Sequence, residues 1–180
     1  LFLLAPSMIA ETLHWGPSNG WIKIQGDLVN KASLVLYFGS TDTLLNNPEA
    51  LVALQDRYPG ALICGCTSAG EICDDSVHDN SITAISIQFE KGRVRLSEVD
   101  IQHPSESHSV GLKLATDLNS EDLKHVFLLS DGLNVNGSQL ANGFNEKLPE
   151  GVQLTGGLAG DGPRFQKTFT GIGTELKSNR

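Results

Sequence analysis

Side chains that could do chemistry are concentrated in ICGCTSAGEIC, residues 63–73, which contains all three cysteines of the chain. A serine nucleophile on a strand-to-helix elbow needs a glycine two residues before it and another two residues after it. Ser68 has Gly70 after it but Cys66 before it, so the elbow is incomplete. A cysteine nucleophile needs a histidine as its base, and none of the histidines lies in a recognisable signature. We expect no catalysis, and a hydrolase or transferase using Cys66 or Ser68 is the alternative.

A metal or haem site is the second kind of chemistry that these residues raise. Zinc ligands are usually paired with about two to four residues between them, whereas a single residue separates Cys64 from Cys66. Cys73 and His78 could complete a set, although with unusual geometry. There is no Cys-x-x-Cys-His haem motif, and a non-covalent haem on one of the histidines stays open. An odd number of cysteines leaves a disulfide framework incomplete, so we interpret them as reduced, buried residues of a cytoplasmic protein.

Polar residues follow three segments that are typical of buried strands. Small and polar side chains at strand ends often form ligand sites, and an arginine with two carboxylates could hold an amino-acid-like molecule. Taken singly, each residue is also typical of a turn or a cap. The predicted ligand-binding residues are Thr67, Ser68 and Glu71 in the first loop, Asp131 and Asn134 in the second, and Asp161 and Arg164 in the third.

Hydrophobic periodicity supplies the elements that would position these loops. Short apolar runs predict buried strands, and apolar residues at helical spacing predict helices. Alternation on both sides of Lys91-Gly92 predicts an antiparallel hairpin of residues 82–89 and 94–101. The remaining predicted strands are residues 34–38, 61–66, 126–129, 152–154 and 167–170, and the predicted helices are residues 48–58, 110–118 and 138–148.

The chain also contains an internal repeat. YPGALICGCTSAGE, residues 58–71, aligns without a gap with LPEGVQLTGGLAGD, residues 148–161. Ala69-Gly70-Glu71 therefore recurs ninety residues later as Ala159-Gly160-Asp161. The order of elements predicts an α/β fold with a mixed β-sheet covered by helices and two β-α-β pseudo-repeats. The two Ala-Gly-acid turns would then lie at equivalent strand ends, where open α/β sheets place ligands.

Composition excludes several classes of protein. The 180 residues carry a net charge of −8 with a pI of about 5.0, which argues against nucleic acid as a partner because phosphates need clustered basic residues. No stretch reaches the ~20 apolar residues of a membrane helix. Residues 1–7 are expected to be a leader remnant or an addition from cloning, with Met8 as the natural start and one domain over residues 8–180.

Four segments resemble the N-terminal half of the FIST domain family, a sensory module of signal-transduction proteins. They are LVLYFGS, YPGALICGCTSAGEI, LLSDGL with its following NG, and LTGGLAGDGPRFQKT, in order from residue 34 to residue 171. The family usually has Ser-Thr after the cysteine, where this chain has Thr67-Ser68.

The resemblance implies a ligand-binding input domain that is not an enzyme, with the C-terminal half of the family absent. The family was proposed to bind small molecules such as amino acids, and we expect no cofactor in this chain. Some members bind haem, sense nitric oxide and signal to histidine kinases. This alternative would need a haem ligand, for which His78 is the first candidate.

Overall fold

The computed structural model describes residues 8–27, 29 and 31–180, so the interpretation of residues 1–7 lies outside the described residues. In chain order, the elements are β1 (Met8–Gly16), β2 (Gly20–Gly26), β3 (Leu34–Ser40), α1 (Thr41–Asn46), α2 (Pro48–Arg57), β4 (Leu62–Ser68), β5 (Glu71–Cys73), β6 (Ser76–His78), β7 (Ile82–Phe89), a 3-10 turn (Pro104–Glu106), α3 (Ser107–Leu118), β8 (His125–Ser130), α4 (Gly137–Asn145), β9 (Gln153–Leu158), β10 (Thr170–Ile172) and β11 (Glu175–Lys177). The predicted helices are confirmed to within a few residues at their ends.

The main sheet has seven strands in the order β11-β10-β4-β3-β7-β1-β2. β3 and β4 are parallel, and each other neighbouring pair is antiparallel, which confirms the predicted mixed sheet. Its first core forms where α2 packs against one face. Pro48 fits the first turn of α2, because a backbone N–H at that position would have no partner within the helix. Leu51 and Leu54 lie on the buried side of α2. They pack with Val35, Tyr37 and Ile63 from β3 and β4.

A second β-α-β unit is formed by β8, α4 and β9, with β8 and β9 parallel in a sheet of their own. Leu34 pairs with Leu62 in the first unit and His125 with Gln153 in the second, a separation of twenty-eight residues in both. The identical register confirms the two pseudo-repeats. The second core consists of Leu114, Ala115, Val126, Leu140 and Phe144, contributed by β8, α3 and α4.

The predicted hairpin of residues 82–89 and 94–101 is wrong. β7 forms as expected, but it pairs with β1 on one side and β3 on the other, so neither of its edges is free for residues 94–101. That segment forms no strand pairing and has no regular secondary structure. The strand predicted at residues 167–170 also lies slightly later, as β10 at Thr170–Ile172, where it pairs with β4.

Candidate functional site

The two Ala-Gly-acid turns meet at the C-terminal end of β4. The amide of Gly160 donates to the carbonyl of Thr67 over 2.9 Å. A Cβ atom at Gly160 would lie 3.1 Å from the nitrogen of Ala69, so the two turns are in direct backbone contact. Thr67 also binds Phe169 twice: its amide donates to the Phe169 carbonyl over 2.9 Å, and its Oγ1 accepts from the Phe169 amide over 3.1 Å. The repeat therefore joins its two halves through these turns.

Asp161 fastens the second turn to the first unit. Its carboxylate accepts from Thr41 Oγ1 and Arg164 Nη2, both over 2.7 Å, and from the amides of Gln166 and Lys167 over 3.0 and 3.1 Å. Burial acts to raise the pKa of Asp161, but these hydrogen bonds outweigh it and hold the pKa at about 2. Asp161 is therefore ionised and fully partnered within the protein.

Arg164 is shared between two carboxylates. Its Nη1 lies 2.7 Å from Asp42 Oδ2, in addition to the Asp161 contact through Nη2. The guanidinium is 39% exposed, so it bridges the units at the surface.

Asp131 organises the loop after β8. It accepts from the amides of Leu133, Asn134 and Asn179 over 2.7, 2.9 and 2.8 Å, and from Thr168 Oγ1 over 2.9 Å. The side-chain amide of Asn134 adds a contact of 3.2 Å to the same carboxylate. Burial raises the pKa of Asp131, but the hydrogen bonds from these backbone amides dominate and the net pKa is lowered. This arrangement is an Asx turn extended to two distant segments.

Glu71 is the buried carboxylate of the first turn. Ser68 Oγ donates to its Oε1 over 2.8 Å and Ser81 Oγ donates to its Oε2 over 3.2 Å. Burial raises the pKa of Glu71, and the two serine hydroxyls counter this only in part. Each predicted carboxylate therefore has an intramolecular partner, and Arg164 contacts Asp161 but not Asp131. Ligand binding by these acids stays a prediction.

Thr67 and Ser68 do line an open groove of about 420 Å³ between the end of β4 and the β8–β9 sheet. Its remaining walls are mainly apolar and glycine-rich: Phe38, Cys66, Ala69, Phe127, Leu129, Gly156, Gly157, Leu158 and Gly160. Phe127 and Leu158 are 43% and 48% exposed, unusually high for large apolar side chains that border a concave surface. No Asp, Glu, Lys or Arg lines this groove.

The glycines of GGLAGDG have two different roles. Gly156, within β9, has a φ of 142°, and Gly162, beyond the end of β9, has a φ of 55°; both values lie in a region where side chains are strained. Gly157 has no such constraint, and a Cβ atom there would meet nothing within 4 Å. Because Gly157 pairs with Leu129 across β8 and β9, its missing side chain keeps the groove open on the face that Leu129 lines. Phe127 carries no sequence signal, whereas Gly156 and Gly157 are visible in the sequence as a glycine pair within the repeated segment.

The cysteines have the character of packing residues. Burial raises the pKa of Cys64 to about 11, and burial with the neighbouring Cys64 raises the pKa of Cys66 to about 12. Burial also raises the pKa of Cys73. Thiolate is the nucleophilic form of cysteine, so all three shifts oppose nucleophilic catalysis.

His78 packs against His14, with ring centroids 4.6 Å apart. Burial and the neighbouring His78 lower the pKa of His14. No histidine lines this groove or either of two further cavities among the described residues, so these three cavities do not fit a histidine-ligated haem. Within the same residues there is no group of three or more His, Cys, Asp and Glu side chains that could hold a metal ion.

Comparison with known proteins agrees with this architecture. The sequence profile of the FIST N domain matches residues 33–180, from just before β3 to the C-terminal residue. A search of curated proteins finds no match. Over the part of the chain that the structure describes, no helix is both long enough and apolar enough to cross a membrane. Since the profile covers well over half of the sequence, the chain belongs to the FIST N domain family, whose members are sensory domains of signal-transduction proteins.

Proposed function

We propose that this chain is a small-molecule-binding input domain and that its ligand lies in the groove between the end of β4 and the β8–β9 sheet. The observation that supports this most directly is the combination of Phe127 and Leu158, partly exposed, with Gly157, which leaves space beside them. Concave sites with apolar walls and a few polar groups are typical of ligand pockets.

The lining favours a metabolite with an apolar or aromatic portion. Phe127 and Leu129 offer that portion a surface, and Ser68 lies at the polar end. The Ser68 hydroxyl uses its proton to bind Glu71, so it retains lone pairs that can accept from a ligand ammonium or hydroxyl. Amino acids with apolar side chains and related metabolites are therefore the first compounds to screen.

Ligand binding here would bear on both units of the fold. The groove is lined by β3 and β4 from the first unit and by β8 and β9 from the second. A ligand that contacts both units binds their associated form more tightly than their separated form. This difference in binding free energy stabilises the association of the units. We propose that a signalling protein, such as a histidine kinase, responds to this change, and that the domain itself catalyses no reaction.

The test is to fill the groove without disturbing the fold. Gly157→Val places a side chain in open space on a strand, where a β-branched residue is well tolerated. Gly16→Val is the matched control, because a Cβ at Gly16 also meets nothing within 4 Å and Gly16 does not line the groove.

Amino acids and related metabolites would be screened by thermal shift on the unsubstituted chain. A compound at 100 times its Kd should add about 2.7 kcal/mol to the stability of the native state. We expect Gly157→Val to abolish this gain and Gly16→Val to retain it. Equal gains in the two variants, or no stabilising compound in the screen, would contradict the proposed site.

A further inference from the structure

A second cavity, partly open to solvent, lies between the main sheet and the second β-α-β unit. It has a volume of about 100 Å³ and is separate from the proposed ligand groove, although Phe127 and Leu129 border both. Its walls are mostly apolar, from Leu114, Val126, Leu140 and Phe144 of the second core.

The polar residues Ser97, Glu98, Ser130, Thr170 and Arg180 interrupt these apolar walls. Two of them, Thr170 and Arg180, have buried donors without a hydrogen-bond partner among the described residues. Thr170 pairs with Cys66 across β10 and β4, so both side chains lie on the same face of the main sheet, the one toward the second unit. Thr170 lines the cavity and is 5% exposed, and its Oγ1 has no hydrogen-bond partner among the described residues. A buried hydroxyl without a partner costs about 1–3 kcal/mol of stability. Packing alone gives no reason to retain such a hydroxyl.

Arg180 is the second of these two residues on the cavity wall, with a side chain that is 6% exposed. Its Nη1 lies 2.7 Å from Glu98 Oε2 and its Nε lies 3.8 Å from Asp100 Oδ1. Within the described residues, however, none of its three nitrogens makes a hydrogen bond with acceptable geometry. The cavity is thus bordered by the Thr170 hydroxyl and by a guanidinium whose charge is already balanced by two carboxylates, and one of these, Glu98, also lines the cavity.

We propose that this cavity binds a small uncharged molecule with an apolar body and one carbonyl oxygen, such as a short-chain ketone, aldehyde or ester. The carbonyl accepts from Thr170 Oγ1 and the Arg180 guanidinium, and the apolar body contacts the second core. A carboxylate ligand is disfavoured because it would add a third negative charge beside Glu98 and Asp100.

Cavity size limits the ligand to about four or five non-hydrogen atoms, since an apolar cavity of roughly 150 Å³ holds benzene. Butanone is a suitable probe, and propionate is its charged counterpart of the same size. Binding of each would be measured by saturation-transfer NMR on the whole chain. We expect butanone to bind and propionate to bind at least about ten-fold more weakly.

Substitutions then locate the bound molecule. Thr170→Val should weaken butanone binding about five-fold while raising Tm, because it removes an unpartnered hydroxyl at constant shape. Arg180→Lys should weaken binding about ten-fold, since lysine lacks the second donor arm. Val126→Ile extends into the cavity and should abolish binding.

Matched controls are Thr83→Val on β7 and Val152→Ile in the second core, because neither residue lines the cavity. Both should leave the Kd for butanone unchanged. The proposal is overturned if butanone does not bind, if propionate binds as tightly, or if Thr170→Val and Val126→Ile bind like their controls. These results are independent of Gly157→Val, which alters only the open groove.

Discussion

Asp131 and Asp161 show that an acid at a strand end can stabilise the fold with hydrogen bonds within its own chain. Each carboxylate accepts at least four hydrogen bonds from its own chain. The sequence places both acids in loops after predicted strands, where they were predicted to bind a ligand. It does not show the partners, since Thr41 lies 120 residues from Asp161 along the chain.

Cysteine reactivity is a prediction at the residue scale. With a pKa near 11, Cys64 has about 100-fold less thiolate at pH 8 than with its ordinary pKa of 9.0, and Cys66 has less still. We expect iodoacetamide to alkylate these cysteines at least about 100-fold more slowly in the folded chain than in the urea-unfolded chain. The rates would be followed by mass spectrometry of the peptides. Faster alkylation in the folded state would instead support the alternative of a cysteine nucleophile.

At the scale of elements, the packing of α3 against α4 requires glycine at two positions. α3 and α4 cross at Gly111 of α3 and Gly143 of α4, and each glycine lies against the backbone of the other helix. A Cβ at Gly143 would lie 2.9 Å from the nitrogen of Leu112, and one at Gly111 would lie 3.1 Å from the nitrogen of Phe144. Since backbone cannot move aside as a side chain can, the close crossing of these helices depends on glycine at both positions.

Gly143→Ala tests this packing because two effects oppose each other. In an isolated helix, alanine in place of glycine is favourable by about 1 kcal/mol. Here we expect a net loss of about 2–3 kcal/mol in the free energy of unfolding, because the added methyl forces the helices apart. Urea denaturation would measure the change. Asn142→Ala, at an exposed position of the same helix, is the control and should be neutral or stabilising. A stabilised Gly143→Ala variant would refute the close crossing.

The whole molecule depends on contacts that join the two β-α-β units. Thr41 in α1 binds Asp161 beyond β9, and Thr67 at the end of β4 binds both Gly160 and Phe169. These hydrogen bonds are buried, where an unmade bond costs more than at the surface. The units are therefore expected to unfold together.

Acid stability follows from Asp161 at this scale. Its folded-state pKa of about 2 lies below its ordinary value of 3.8, so its contribution is present above pH 4 and is lost as the pH falls toward 2. Because Arg164 is partly exposed and screened, this contribution should be roughly 1–2 kcal/mol.

Urea denaturation between pH 5 and pH 2 measures that contribution. As the pH falls over this range, the free energy of unfolding should decrease less for Asp161→Asn than for the unsubstituted chain. The difference should equal the contribution of Asp161, roughly 1–2 kcal/mol. Thr41→Val, which removes one hydrogen bond but leaves the carboxylate, should fall between the two. Parallel pH profiles for all three proteins would show that Asp161 does not carry the acid sensitivity.

Local information was enough to determine much of this protein. Apolar runs specify β3, β4, β7 and β8, and helical spacing specifies α2, α3 and α4, because burial of one face fixes the period of each element. The repeated Ala-Gly-acid turn predicted two equivalent strand ends, and its motifs indicated the family. Thr67 and Ser68, which the sequence assigned to the first loop, lie at the end of β4 and border the groove, and ligand binding by them stays a prediction.

Only the tertiary structure decided which of these elements meet. Residues 94–101 alternate like a strand, yet β7 is already paired on both edges, and strand pairing is a competition that no single segment reveals. The same is true of the site: Phe127, Thr170 and Arg180 carry no local motif, and the motif that contains Gly157 does not show its role. These residues become candidates only because folding places them around a groove and a cavity. Periodicity is set by neighbours along the chain, whereas a concave surface is set by neighbours in space.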